Sequence, residues 1–301
     1  MRAGRILGFL GPNGAGKTTA IRILTTILEP DAGHFVVDGI GSEYPARIRR
    51  AIGVLPENLG FPRHVTGIEY LTYFGQLYGL SAAAARASGL SLLAEVGLEQ
   101  RAKSLIGTYS HGMRQRIGIA RALINDPVVV FLDEPTLGLD PRGQQELLSL
   151  VRRIARERSA GVILCSHMLS EIEVVCDDVV ILSVGQVVAS GPVKEVIGHA
   201  QQTVLQHNVI RIQLPAPLVA KARQVLKVIP GVKNSAPTVG MEGWLRVELA
   251  DSGHGTSSKQ QHVNNRILQA LIRAKIPILG FEAEGGRLQD VFMSLTGEAI
   301  E

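Results

Sequence analysis

The sequence predicts an α/β core, a parallel sheet covered by helices and carrying a mostly helical insertion, followed by a small α+β domain. Three observations predict it. Short apolar runs at 5–10, 52–55, 128–132 and 162–165 are separated by helical patterns, as in strands buried on both faces. Residues 66–126 change to apolar spacing of three and four, the period of amphipathic helices. Beyond residue 200 the pattern restarts as strand, helix, strand, strand, helix, strand, the order of a ferredoxin-like fold.

The composition agrees. With 301 residues, 46% of them hydrophobic, the chain can build two cores, so residues 1–200 and 201–301 are expected to be separate domains. A net charge of +4 without a basic tract argues against nucleic acid as a partner. Cys165 and Cys176 are the two cysteines and have no metal-ligand spacing, which fits a reducing compartment. There is no secretory leader pattern and no run near the roughly 18 apolar residues of a membrane span, so a cytoplasmic protein is expected.

Taken in order, residues 5–10 form a buried strand and 19–28 a helix ended by Pro30. Between them, Gly11-Pro12-Asn13-Gly14-Ala15-Gly16-Lys17-Thr18-Thr19 fits G-x-x-x-x-G-K-[ST], the phosphate-binding P-loop, in the strand-loop-helix context that gives the motif its meaning. Glycine lets successive backbone N–H groups face one point, and the helix N-terminus adds positive potential there. Lys17 would reach the β- and γ-phosphates of ATP and Thr18 would ligate Mg2+. Residues 34–39 read as a marginal strand with an Asp-Gly turn, and Pro56 stops the strand at 52–55, leaving Glu57 in a loop where parallel sheets bind ligands.

Thr66-Gly67-Ile68-Glu69 is a capping box, and Tyr70, Leu71, Phe74, Leu77 and Tyr78 recur at helical spacing as an expected core stripe. More helix is expected at 82–87 and 90–96. Ser110 should cap a helix that places Ile117, Ala120 and Leu123 inward and ends at Pro127. Residues 128–132 then make a central strand with Asp133 and Glu134 at its end. Adjacent carboxylates beside a buried strand are costly without a cation or water to face. With a phosphate loop upstream, Asp133 is assigned to Mg2+ through water and Glu134 to the attacking water as general base. Asp140 caps the next helix with Pro141 at its first position, and Ser166-His167 follows the strand at 162–165. Residues 170–173 read as a second capping box, and 179–182 with 187–190 as a closing hairpin.

In this order the motifs resemble those of the ATP-binding cassette (ABC) ATPases, over residues 3–200. The narrowing feature is Ser110-His111-Gly112-Met113-Arg114-Gln115-Arg116, similar to the ABC signature, just ahead of a strand that looks like Walker B. Asp140 then matches the D-loop, His167 the switch histidine and Glu57 the Q-loop position. The resemblance implies a head-to-tail homodimer in which ATP on one phosphate loop is closed by Ser110 and Gly112 of the other copy. It implies that His167 contacts the γ-phosphate, and that a separate integral membrane permease receives the work. The residues ending the chain, 288–293 with 295–296, are similar to those of ABC ATPases serving antibiotic, multidrug or polysaccharide exporters, a peripheral role on the inner face of the membrane. Soluble ABC proteins of ribosomes or DNA carry paired cassettes or long coiled coils, which this sequence lacks.

Three departures stand out. His111 and Met113 replace the more usual glycine and glutamine of the signature, while Ser110 and Gly112 remain. Glu57 puts a carboxylate where the general pattern has an amide, which would add negative charge at the Mg2+ held with Thr18 and Asp133. Met1 lies only ten residues ahead of Gly11, where the family usually has an antiparallel strand pair and an adenine-stacking aromatic; either the start is assigned too late or the triphosphate is bound with a weakened base contact, and the first is the expectation, since losing the pair would expose a sheet edge.

In the second domain, strands are expected at 209–214, 232–239, 244–249 and 276–282, a helix and linker at 194–206, helices at 218–229 and 261–274, and a last helix at 288–295. A polar loop is expected at 251–258. No His, Cys or carboxylate constellation appears there, so this domain fits a regulatory or dimerising role, or a stabilising appendage.

Overall fold

The computed structural model describes residues 2–57, 60–204, 209–238, 241–250, 257–283, 288 and 291–292. They form two compact units, the first running to Val193 and the second starting at Lys194.

The first unit is built on a six-stranded sheet. In chain order its elements are β1 Ile6–Leu10, α1 Lys17–Leu24, the two-residue pair β2 Val36–Val37 and β3 Ile40–Gly41, α2 Pro45–Ala51 and β4 Ile52–Leu55. The insertion α3 Gly67–Leu77, α4 Ala82–Glu95 and α5 His111–Ala122 follows, then β5 Val129–Asp133, α6 Pro141–Arg158, β6 Gly161–Cys165, α7 Leu169–Val175, β7 Asp178–Ser183 and β8 Gln186–Pro192. The sheet order is β4-β5-β6-β1-β7-β8, parallel except for the antiparallel edge β8. Register decides where function can sit. Phe9 pairs with Cys165 and Cys165 with Asp133, so β1, β6 and β5 end level, and the residues leaving them emerge side by side.

Both faces of the sheet are covered, which explains the unbroken apolar runs. On one face Phe9, Phe131 and Ile163 pack with Ile21 of α1 and Ile48 of α2. On the other, α7 lies so close to β1 that a Cβ at Gly8 would meet Ile172 Cγ2 at 2.5 Å. Glycine is required there by approach, not by φ. The first strand and helix are shorter than expected: α1 starts at Lys17 and gives way after Leu24, with Thr26 left-handed at φ 60° and the amides of Ile27 and Leu28 returning to Arg22 O.

In the insertion the capping box is formed: Thr66 Oγ1 accepts from Glu69 N, and Thr66 N donates to Glu69 Oε2 at 2.8 Å. The expected core stripe is only half core. Tyr70 and Leu71 are buried, whereas Leu77 and Tyr78 are exposed, because the tight α3–α4 contact is made by Gly75 against Ala85 instead. Residues 34–39 contribute only β2, in a sheet separate from the main one. The second capping box is absent: α7 begins at Leu169 with Met168 as its unassisted cap.

α8, Val193–Val204, has its first residue in the first unit and otherwise belongs to the second; the expected linker at 205–206 lies outside the described residues. The second unit continues with β9 Val209–Gln213, α9 Val219–Lys227, β10 Val232–Pro237, β11 Trp244–Leu249, α10 Ser257–Arg273 and β12 Gly280–Ala283. The strands order as β10-β11-β9-β12 with every neighbouring pair antiparallel, the ferredoxin-like arrangement. Alternation puts Ile210, Ile212, Leu245 and Val247 inward against Leu226 of α9 and Ile267 and Leu271 of α10. α10 starts before the expected 261 and takes in Ser257 and Ser258; the remainder of the expected loop, 251–256, lies outside the described residues. Ile276 belongs to the core but not to a strand, since β12 begins at Gly280. Of the expected terminal helix, Leu288, Val291 and Phe292 are helical and buried; 289–290 and 293–295 lie outside the described residues.

Candidate active site

A cavity of about 710 Å3 opens at the level strand ends, lined by the whole run Gly11–Thr19 together with Glu57, Asp133, Glu134, Leu137, Cys165 and His167. The phosphate loop wraps from β1 to α1. Gly14 and Gly16 take positive φ of 80° and 98°, which a side chain would resist, and Gly16 is the cap residue of α1 without a side-chain cap. Gly11 is required by space: a Cβ there would meet Leu182 O at 2.6 Å. The loop is pinned by Ala15 N donating to Pro12 O at 3.1 Å and Gly185 N donating to Ala15 O at 3.1 Å. Lys17 Nζ folds back over it and donates to the carbonyls of Gly11 and of Pro12, the latter at 3.0 Å.

Opposite the loop, Asp133 and Glu134 close β5. Burial pushes the Asp133 carboxyl above the usual range, a hydrogen bond from the Cys165 thiol opposes that, and Glu57 nearby pushes it further up. The Cys165 thiol is itself pushed far up by burial and stays protonated. Glu134 sits at φ 47°, a left-handed conformation that costs a side-chain-bearing residue about 1–2 kcal/mol, held by its N–H donating to Cys165 O at 2.9 Å. Its carboxyl is also raised, mainly by burial, while the hydrogen bond and charge of His167 pull it down. His167 Nδ1 lies 2.8 Å from Glu134 Oε2, and with a carboxylate acceptor the ring nitrogen donates. A carboxylate with this environment is neutralised at higher pH than an ordinary glutamate. With Glu134 as the general base expected from the sequence, the acid limb of kcat/KM is therefore predicted above the usual glutamate range, and to move further up in His167→Ala, whose residual activity loses the counter-pull. A pH–rate profile of both proteins checks it; a limb unmoved by the substitution would disprove the coupling.

The structure brings Lys17, Thr18, Glu57, Asp133, Glu134 and His167 together in that cavity. It does not bring Ser110, Gly112 and Asp140 there. These three line a different, smaller cavity of about 360 Å3 with His111 and Gly138. Ser110 caps α5 through Met113 N at 3.3 Å, and Asp140 caps α6 through Gly143 N at 3.2 Å, so both helix starts are fixed by their own side chains.

One residue escapes sequence reasoning. Glu171 is buried, and its Oε2 accepts from Thr136 Oγ1 and from Ser166 Oγ, each at 2.8 Å. It thereby joins the turn after Glu134 to the residue before His167. The signal is its helical phase: Glu171 shares a face with buried Val175 four residues on, an inward place for a carboxylate.

A glycine loop between strand and helix, faced across a cleft by paired carboxylates and a histidine from adjoining strand ends, defines a P-loop nucleoside triphosphatase. Comparison with known proteins narrows the class. The ABC transporter family model matches residues 1–137. The daunorubicin/doxorubicin resistance ATP-binding protein DrrA of Streptomyces peucetius is 35% identical over 99% of this chain and 86% of its own length. The linearmycin resistance ATP-binding protein LnrL of Bacillus subtilis (strain 168) is 31% identical over 100% and 92%. A solved ATP-binding subunit of an ABC transporter matches with a TM-score of 0.57 at 33% identity, covering 66% of this chain and 82% of that one. The chain belongs to the ABC transporter family, as an ATP-binding subunit that hydrolyses ATP.

Proposed function

We propose that this chain powers an exporter of antibiotic-like compounds through a separate membrane permease, with ATP held between two copies arranged head to tail. The observation that carries the dimer is the division of the motifs between two cavities. The phosphate loop and the reacting groups share one, while Ser110 and Gly112, at the start of α5, line the other. A helix N-terminus with exposed Ser110 suits a phosphate, and a second copy supplies that phosphate without rearranging the first. Export as the direction of transport rests on the drug-resistance relatives.

In the site, the loop amides and Lys17 hold the β- and γ-phosphates, Glu134 takes a proton from the attacking water, and His167 fixes the position of Glu134. His167 holds Glu134 from Nδ1, which leaves Nε2 to face the γ-phosphate. Among the described residues no group of three or more His, Cys, Asp or Glu forms a metal cage. Two oxygen donors, Thr18 and Asp133, do line the phosphate cavity, and one or two protein ligands completed by phosphates and water suit Mg2+, with Glu57 near enough to add charge. Such an ion would neutralise phosphate charge. Among the described residues no helix is long and apolar enough to cross a membrane, which leaves the span to a partner on whose cytoplasmic face this chain would sit. Affinity purification of the tagged chain from membranes is expected to yield an integral membrane protein in stoichiometric amount, and its ATPase rate to respond to that partner. Recovery with ribosomes and without a membrane partner would overturn the transport reading.

A further inference from the structure

The two cavities are joined by one short stretch of backbone. Glu134 and Leu137 line the phosphate cavity, and Gly138 and Asp140 line the signature cavity. The stretch is wound into successive turns, with Leu137 N donating to Glu134 O at 3.3 Å and Leu139 N donating to Thr136 O at 3.1 Å. Displacement at one end therefore reaches the other. At its middle stands His111, the first residue of α5 and one of the positions where this chain departs from the usual signature. His111 Nε2 lies 2.8 Å from Leu137 O. A carbonyl only accepts, so Nε2 carries the hydrogen. The same imidazole leaves so little room at Gly138 that a Cβ there would meet Nε2 at 3.3 Å, and Gly138 has φ 76°.

We propose that His111 is a positioning residue that couples the two ATP sites of the dimer. It rests on the dimer reading above. Ser110 and Gly112 flank His111 and would face the triphosphate carried by the partner. His111 ties that same helix start to the backbone three residues beyond Glu134, the base for the chain's own triphosphate. Arrival of a phosphate at α5 thus bears, through one side-chain hydrogen bond, on the segment that leads out of Glu134 and returns an amide to its carbonyl. A glycine at this position, as in the usual signature, has no side chain with which to make the bond.

The test compares the full-length wild type with His111→Ala and His111→Gln. Glutamine keeps an N–H donor at similar reach, and an exposed position at a helix start tolerates both changes. The wild type is expected to show sigmoidal ATP dependence with a Hill coefficient approaching about two, the number of sites. In His111→Ala the coefficient falls towards about one and the maximal rate drops several-fold, while the affinity of the monomer for ATP is unchanged; His111→Gln recovers most of both. The Glu134→Gln background with ATP and Mg2+, run on gel filtration, reports the dimer separately. No dimer with His111 intact removes the dimer reading, and this proposal with it. A dimer with His111 intact that disappears in His111→Ala overturns the proposal by making His111 only a closing contact. A wild-type coefficient near one, an alanine variant like wild type, or a glutamine variant like alanine each overturns it too.

Discussion

Glutamine at position 134 is expected to leave ATP bound and to slow hydrolysis by roughly 10²–10⁴-fold, the usual contribution of a positioned general base. The substitution keeps the shape of the side chain and a partner for His167 Nδ1, 2.8 Å away, so it tests charge and basicity with little change in packing. It also removes a charge the fold does not favour, since burial raises the Glu134 carboxyl more than His167 restores it. Loss of activity should therefore come with an unchanged or higher melting temperature, the opposite of what a disrupted fold gives. Because the phosphate loop and Lys17 are untouched, the triphosphate should persist, and the ATP-bound protein should accumulate as a dimer. Single-turnover hydrolysis and a nucleotide-binding titration on the same sample separate the two steps. A fall of less than about tenfold would place the base elsewhere, with Asp133 and Glu57 as the remaining carboxylates of that cavity.

The strands and the site loops were legible for one reason: their sequences answer to local constraints. Glycines at 14 and 16 report a backbone that no other residue tolerates well, and Ser110, Asp140 and Thr66 report amides that need a cap. The level ends of β1, β5 and β6 were legible only in part. Each strand end could be found, but their alignment is a matter of register between strands distant in sequence, with Phe9 paired to Cys165 and Cys165 to Asp133. Leu77 and Tyr78 misled because periodicity shows which residues share a helix face, not whether another element covers it. The capping box expected at 170–173 failed for a similar reason. The Glu171 side chain answers to Thr136 and Ser166 across the fold, and that tertiary pull overrides the local motif. The His111 bond to Leu137 belongs to the same class: it spans 26 positions, and only the fold makes it short.

Lys17→Ala should remove most nucleotide affinity while sparing the fold. In the protein as it stands the ammonium donates to two backbone carbonyls, of Gly11 and Pro12, and has no ion-pair partner among the described residues. Its charge is therefore uncommitted, in a cavity whose opposite wall carries Asp133 and Glu134. Two effects compete on its removal. The loop loses hydrogen bonds to neutral acceptors that water in an open cavity can replace, a cost of about 1 kcal/mol. The complex loses charge-assisted contacts to phosphate worth roughly 1.5–3 kcal/mol each. With two phosphates within reach of one ammonium, the second effect dominates, and a loss of roughly 10²–10³-fold in ATP affinity is expected. The remaining affinity would come from the loop amides and the start of α1, which the substitution leaves in place. Lys17→Arg restores the charge but not the compact point donor that sits against both carbonyls, so only partial recovery is expected. Equilibrium titration with a fluorescent ATP analogue, with thermal unfolding of the apo protein alongside, measures both sides of the argument. Affinity within about threefold of wild type would show that the loop amides alone hold the triphosphate, and Lys17 would then have no part in binding.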